Sequence, residues 1–251
     1  MTDRFDDAPT TDALVDEALA LGEGLGRPLR YVQINSFYNG STGTIMRSLH
    51  EGLKERGVDS YIFWGRRHET IGDHERCCAS EAGVYLHGAL SRLTDRAGFY
   101  SKRDTAKLLK QLDEIDPDVV HLHNIHGYYV NVEMLFGWLA RHRCQVRWTL
   151  HDCWAFTGHC PHFQYVSCDR WLTGCRDCPQ KRGYPSSLFL DSSRRNWEDK
   201  RRIFTSVSPE RMTLVSPSRW LAGLVGKSFL KGYSVEVRHN TVDRSVFKPT
   251  P

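Results

Sequence analysis

The sequence predicts an α/β fold, a parallel Rossmann-like sheet with helices on both faces, and three observations carry that expectation. Short apolar runs rich in Val, Ile and aromatic residues recur along the chain. Amphipathic stretches of helical period separate them, as strands covered on both faces require. Polar and aromatic residues gather where those runs end, and the carboxyl ends of strands are where open α/β sheets place their ligand chemistry.

The elements follow in order. Residues 1–27 alternate acidic and small residues and close on Gly22, Gly24 and Gly26, which predicts a flexible acidic leader with at most a short helix. The organised domain is expected over residues 28–251. Residues 30–35, RYVQIN, read as the first strand and NGSTG at 39–43 as a turn. Residues 44–56 read as a helix with Ile45, Leu49 and Leu53 on one face, ended by Gly57. SYIFW at 60–64 supplies the next strand. Residues 84–112 read as largely helical and basic, 118–123 as a strand, 132–142 as a helix and 145–150 as a strand. A cysteine-rich loop, 151–180, interrupts the alternation. Residues 193–205 then predict a helix, 212–215 a strand, 218–230 a helix and 234–238 a final strand.

Bulk properties narrow the function. A chain of 251 residues with 40% hydrophobic and 25% charged content suits an ordinary globular protein with a sizeable core. A net charge of +4 fits anionic substrates or a membrane surface and falls short of the basic footprint of a dedicated nucleic-acid binder, so no nucleic-acid partner is expected. No apolar run reaches the roughly 18 to 20 residues needed to span a bilayer, and the acidic start lacks a hydrophobic signal core. A cytoplasmic location is therefore expected, where eight cysteines serve as thiols or metal ligands rather than as a disulfide framework.

Five segments are candidates for chemistry. Gly40, Ser41, Thr42 and Gly43, between a strand and a helix, either cradle a phosphate or sugar hydroxyl with backbone amides or form a plain turn. They match neither the dinucleotide fingerprint nor a P-loop. His121, His123 and His126 cluster at a strand end. A metal site is conceivable there, but no carboxylate ligand lies nearby, and Asn124, His126 and Tyr128 are read as the lining of a polar pocket. His151 and Asp152 follow the central strand, placed to orient or polarise a sugar, with a packed histidine beside a capping aspartate as the plainer alternative.

Cys160, Cys168, Cys175 and Cys178 fall as C-x7-C-x6-C-x2-C, and the closing C-x-x-C suits a structural zinc. Cys153, His159 and His162 are spare ligands. The alternative is a set of reduced cysteines beneath Trp154, Phe156, Phe163 and Trp171. The stretch 91–110 interleaves six basic residues with Leu and Phe, and reads either as a surface helix with a solvated charged face or as a segment lying on an anionic membrane.

Taken in order, FYNGSTGTIMRSLHEGLKERG, PDVVHLHNIHGYYVNVEMLF, WTLHDCWAFTGHC, TGCRDCPQ, LVSPSRWLAGLVGKSF and HNTVDRSVFKP resemble the amino-terminal, acceptor-side domain of family 4 glycosyltransferases, in particular the colanic-acid-type branch of polysaccharide assembly. The last stretch resembles the family's asparagine-glycine hinge motif with Thr241 in place of glycine. The resemblance implies one half of a GT-B fold, two Rossmann-like domains facing across a cleft. It implies retaining transfer from a nucleotide-diphosphate sugar to a glycan or lipid-linked glycan, without a catalytic metal.

By the same resemblance Gly40 and Gly43 serve the donor phosphates, Asn124, His126 and Tyr128 shape the acceptor side, and His151 and Asp152 sit at the reaction centre. The family's donor-binding domain is not recognisable before Pro251, so negligible transfer is expected unless a separate donor-domain polypeptide completes the cleft. A non-catalytic acceptor- or lipid-binding remnant and a zinc-dependent interaction module are the alternatives.

Overall fold

The computed structural model describes residues 10–66 and 69–240. Helix α1 (Thr10–Gly22) precedes strand β1 (Arg30–Phe37), helix α2 (Ser41–Glu55) and strand β2 (Asp59–Arg66). Strand β3 (Glu75–Cys77), helices α3 (Glu81–Thr94) and α4 (Lys102–Ile115), strand β4 (Val119–Leu122), helix α5 (Val132–Arg141) and strand β5 (Gln145–Thr149) follow. Helix α6 (Ser193–Phe204), strand β6 (Met212–Ser216), helix α7 (Arg219–Val225) and strand β7 (Ser234–Val237) complete the described chain. The seven strands form one sheet in the order β3-β2-β1-β4-β5-β6-β7, every pair parallel. The expected α/β architecture is the one found. Among the described residues no helix is long and apolar enough to cross a membrane.

Alternation along β1 assigns the two faces. Tyr31 packs with Leu49 and Leu53 of α2, while Val32 and Ile34 join the larger core with Phe136, Trp148 and Phe204. The last three rings lie 4.7 to 5.3 Å apart, an aromatic cluster that fixes α5 and α6 against the sheet.

Four differences from the sequence reading have local causes. Part of the expected flexible leader is helix α1, because Leu14, Val15 and Ala18 form a buried stripe against α2; residues 1–9 lie outside the described part. Strand β3 escaped notice because Glu75, Arg76 and Cys77 at a sheet edge are too few and too polar to show an apolar period. The basic stretch 91–110 is not one helix: Asp95 and Ser101 adopt left-handed φ of 58° and 56° and Gly98 φ of 91°, turning the chain between α3 and α4. Arg96 there points inward, its guanidinium 3.7 Å from the Phe99 ring centroid and 2.7 Å from Asp199. Helix α7 ends at Val225, where the Ser228 hydroxyl donates to the Val225 carbonyl and accepts from the Leu230 amide. The stretch 239–249 compared with a hinge lies outside the described residues from 241 onward.

Candidate functional site

Sheet order reverses between β1 and β4, and such a switch point opens a crevice beyond the strand ends. Asn35, fully buried near the end of β1, joins the two loops that border it. Its Nδ2 donates to the Phe37 carbonyl (2.9 Å) and to Thr42 Oγ1 (3.2 Å), and its Oδ1 accepts from the Asn124 amide (3.3 Å). Thr42 and Asn124, chosen separately from the sequence, are thus held by one side chain that sequence reading missed. A polar residue close to a strand's carboxyl end, where ligand chemistry gathers, was the available signal.

Gly40 has φ of 86° and precedes α2, whose amino end has no side-chain cap, so the first-turn amides of Ser41, Thr42 and Gly43 are donors without intrahelical acceptors. Gly43 is needed for space: a Cβ there would lie 2.2 Å from the Tyr38 carbonyl oxygen. Backbone, not a flexible side chain, would have to move. Gly43→Ala is expected to cost about 1–3 kcal/mol of stability, checked by urea titration; a variant as stable as the parent would mean that the turn is freely deformable.

Beneath the crevice, polar side chains cross the sheet face in two rows. In the lower row Tyr31 OH meets His121 Nδ1 at 2.9 Å, and His121 Nε2 meets Thr149 Oγ1 at 2.7 Å. In the upper row Gln33 Nε2 donates to the Met46 carbonyl, which leaves Gln33 Oε1 to accept from His123 Nε2 at 3.1 Å. Burial pushes His123 well below its ordinary pKa, so its neutral ring has a bare Nδ1, and that atom accepts from His151 Nε2 at 3.3 Å. His151 therefore carries its lone pair on Nδ1. Burial, partly opposed by Asp152, lowers His151 to about 4. The three rings stack across the strands, 4.3 Å from His121 to His123 and 5.6 Å from His123 to His151.

His126 stands apart from this ladder. Its Nε2 donates to Asp152 Oδ2 at 2.8 Å, its Nδ1 lies 3.3 Å from Tyr184 OH, and its ring is 5.3 Å from Trp154. Asp152 Oδ1 accepts the Trp154 amide at 2.8 Å, so the carboxylate caps a 3-10 turn (Trp154–Phe156) and orients His126 at once. Burial alone would raise Asp152, but His126 and the Trp154 amide outweigh it and hold the carboxyl below its ordinary range. Tyr128 adopts a left-handed φ of 70°, unusual for a bulky residue. Its ring is 6.1 Å from that of Tyr184, and the Arg66 guanidinium lies 5.8 Å from it. A small cavity is bounded by Asn124, His126, His151, Asp152 and Trp154. Tyr184 and Arg66 went unnoticed in the sequence because neither adjoins a motif.

The loop after β5 continues through two further 3-10 turns, Gln164–Val166 and Arg170–Leu172. Cys160, Cys168, Cys175 and Cys178 all line one cavity there, together with His159, Phe163 and Trp171, distinct from the crevice. Phe163 stacks 5.0 Å from Trp171, and of the four aromatic residues set over the thiols in the sequence only these two line the cavity. Among the described residues, no three or more His, Cys, Asp or Glu side chains form a ready cage for a metal ion.

The structure thus brings His151, Asp152, Asn124 and His126 to one cavity, with Tyr128 joined through Tyr184 and Thr42 through Asn35, and keeps the four cysteines in a separate one. The family model for Glycosyltransferase Family 4 matches residues 42–245. No curated protein matches the chain.

Proposed function

Because this chain belongs to glycosyltransferase family 4, whose members transfer sugars from nucleotide-sugar donors to acceptors, we propose that the crevice beyond β1, β4 and β5 holds the reacting sugar. The reaction is retaining transfer from a nucleotide-diphosphate sugar to a glycan or lipid-linked glycan, in surface polysaccharide assembly. The observation that carries this reading is the meeting of His151, Asp152, His126 and Asn124 at the carboxyl ends of β4 and β5, next to the sheet's switch point, within a family-matched domain.

Each residue has a chemical task in the proposal. His151 offers the bare Nδ1 as an acceptor to a hydroxyl of the transferred sugar. Asp152 holds His126 in place, and with Asn124, Tyr128 and Tyr184 it shapes the acceptor side. The amides of residues 41–43 favour the donor phosphates electrostatically, with no catalytic metal in the scheme. A sugar nucleotide also needs an opposing wall, which a donor-binding unit facing the strand ends supplies, in the same or a separate polypeptide.

Exposed Tyr85, Leu86 and Leu93 on α3 support contact with the inner face of a membrane carrying a lipid-linked acceptor. Exposed Leu188, Phe189 and Leu190 add to them, tied beside α3 by the Leu188 amide on the Arg92 carbonyl.

The test is elongation of lipid-linked saccharide primers from a panel of nucleotide-diphosphate hexoses, read by mass spectrometry, with anomeric configuration by NMR. Elongation with retained configuration is expected when the donor-binding unit is present. Inversion, or no elongation with that unit supplied, would overturn the proposal.

A further inference from the structure

The cysteine loop carries chemistry that sugar transfer does not use. We propose that Cys160, Cys168, Cys175 and Cys178 hold one zinc ion as four thiolates, with His159 and Lys200 as buried cations that offset its charge. The proposal is independent of the sugar-transfer reading, since none of these six residues takes part in it.

Three observations converge. All four sulfur-bearing residues line a cavity with about 20 Å³ open to the centre of a water-sized guest, room for a single small ion or molecule. They reach it from a stretch whose regular structure beyond residue 156 is limited to two three-residue 3-10 turns before α6, and a long irregular connection of this kind needs a cross-link to order it. The Gly158 amide already donates to Cys175 Sγ at 3.1 Å.

The buried cations supply the second argument. Zinc bound by four thiolates carries a net charge of about −2, costly to bury without nearby positive charge. Lys200 is 1% exposed; its Nζ donates to the Trp154 and Thr157 carbonyls at 2.8 and 3.0 Å, and burial pushes it down to about 7, opposed by Cys175 and Cys160. Negative charge on those two sulfurs would favour the charged lysine.

His159 supplies the third. It is 2% exposed, and its Nδ1 lies 2.5 Å from Asp95 Oδ1, while its Nε2 is buried without a hydrogen-bond partner although the residue lines the same cavity. The Asp95 carboxylate on Nδ1–H orients the ring and favours the imidazolium, whose second N–H is Nε2–H. Donating Nε2–H to a thiolate would satisfy the buried nitrogen.

Neutral thiols give Lys200 no negative charge to face, and leave His159 with Asp95 alone. Ligation instead releases the remaining thiol protons to solvent as zinc takes four sulfur lone pairs, and the two cations stay charged. The sulfurs line the wall without caging a common point among the described residues, so the ion draws them inward by rotation about Cα–Cβ.

The intact chain, purified under reducing conditions without added metal, is expected to contain about one zinc by elemental analysis. Replacement with Co²⁺ should give tetrahedral thiolate–cobalt absorption. Cys175→Ser with Cys178→Ser should lose the metal; if that variant does not fold, a mercurial titration of the wild type should release zinc in step with four thiols. His159→Gln should retain near-stoichiometric metal with affinity lowered about 10- to 100-fold. Less than about half an equivalent of zinc, both as purified and after incubation with Zn²⁺, would overturn the proposal. So would octahedral cobalt spectra, or a His159→Gln variant as metal-free as the cysteine variant, which would make His159 a ligand.

Discussion

Acidification from pH 6.5 to 4.5 is expected to unfold this protein. In an unfolded chain each imidazole titrates near its ordinary value of about 6.5. In the fold, burial pushes His50 and His151 down to about 4 and His87 to about 3, and it holds His121 and His123 well below the ordinary value. Between those limits the unfolded chain binds protons that the folded chain refuses, so stability falls as the pH falls. Below pH 6, His50, His87 and His151 alone remove about 4 kcal/mol per pH unit, against a typical domain stability of about 5–15 kcal/mol.

One histidine opposes the trend. Burial would lower His159, but its bond to Asp95 and that residue's charge raise it, so its contribution persists in acid and is lost as the pH rises through its folded value. A single group does not offset five. Urea midpoints at pH 7.5, 6.5 and 5.5 should therefore drop steeply in the last interval. His87→Gln should flatten the slope by about 1.4 kcal/mol per pH unit, because a neutral amide can accept the Gly98 amide and donate to Ser101 Oγ as His87 does. A midpoint that does not change between pH 7.5 and 5.5 would show that these imidazoles ionise without unfolding.

The sheet was legible because its strands carry short runs of buried Val, Ile, Leu and aromatic residues and its helices do not. Tyr31, Val32 and Ile34 in β1 and Val119, Val120 and Leu122 in β4 are all buried, and such runs between amphipathic helices have few other solutions. What escaped lacked that pattern. Glu75, Arg76 and Cys77 form an edge strand by backbone pairing to β2, without an apolar period to announce it. The break between α3 and α4 depends on left-handed Asp95 and Ser101, residue types that composition does not mark as strongly as glycine. Arg96 contributed to an apparently exposed basic face because its charge was visible and its partner Asp199, distant in sequence, was not.

The candidate site divides in the same way. Positions next to a strand end, Asn124, His126, His151 and Asp152, could be picked from local order alone, since an open parallel sheet makes that address functional. Residues that act on them from afar could not. Gln33 and His123 set the tautomer of His151 across three strands, Asn35 ties Thr42 to Asn124, and Tyr184 reaches His126 from beyond the cysteine loop. Lys200 is the clearest example. A lysine in a charged helix reads as solvated, yet this one is among the largest fully buried side chains, because Trp154 and Thr157, over 40 positions earlier, turn their carbonyls toward it.

His151→Ala is expected to lower kcat/KM for sugar transfer by about 100-fold, or about 2.7 kcal/mol of transition-state stabilisation. The size follows from a preorganised acceptor. The chain of donors from His151 through His123 to the Gln33 carbonyl leaves Nδ1 of His151 bare and holds its ring by stacking at 5.6 Å on His123, so aiming it at a hydroxyl requires little reorganisation during reaction. Because burial lowers His151 to about 4, the acceptor stays available above pH 5.5, and the His151-dependent part of kcat/KM should not change from there to pH 8. Gln33→Leu should test the relay without touching the sugar. With no acceptor for Nε2, His123 can move its proton to Nδ1, and that proton then faces His151 Nε2. Proton-coupled nitrogen NMR should show His151 switching its proton to Nδ1, and transfer should fall with no change in fold by circular dichroism. Full activity in Gln33→Leu with His151 in the switched tautomer would refute the acceptor role of Nδ1, and an inactive variant with an unswitched His151 would place the defect outside the relay.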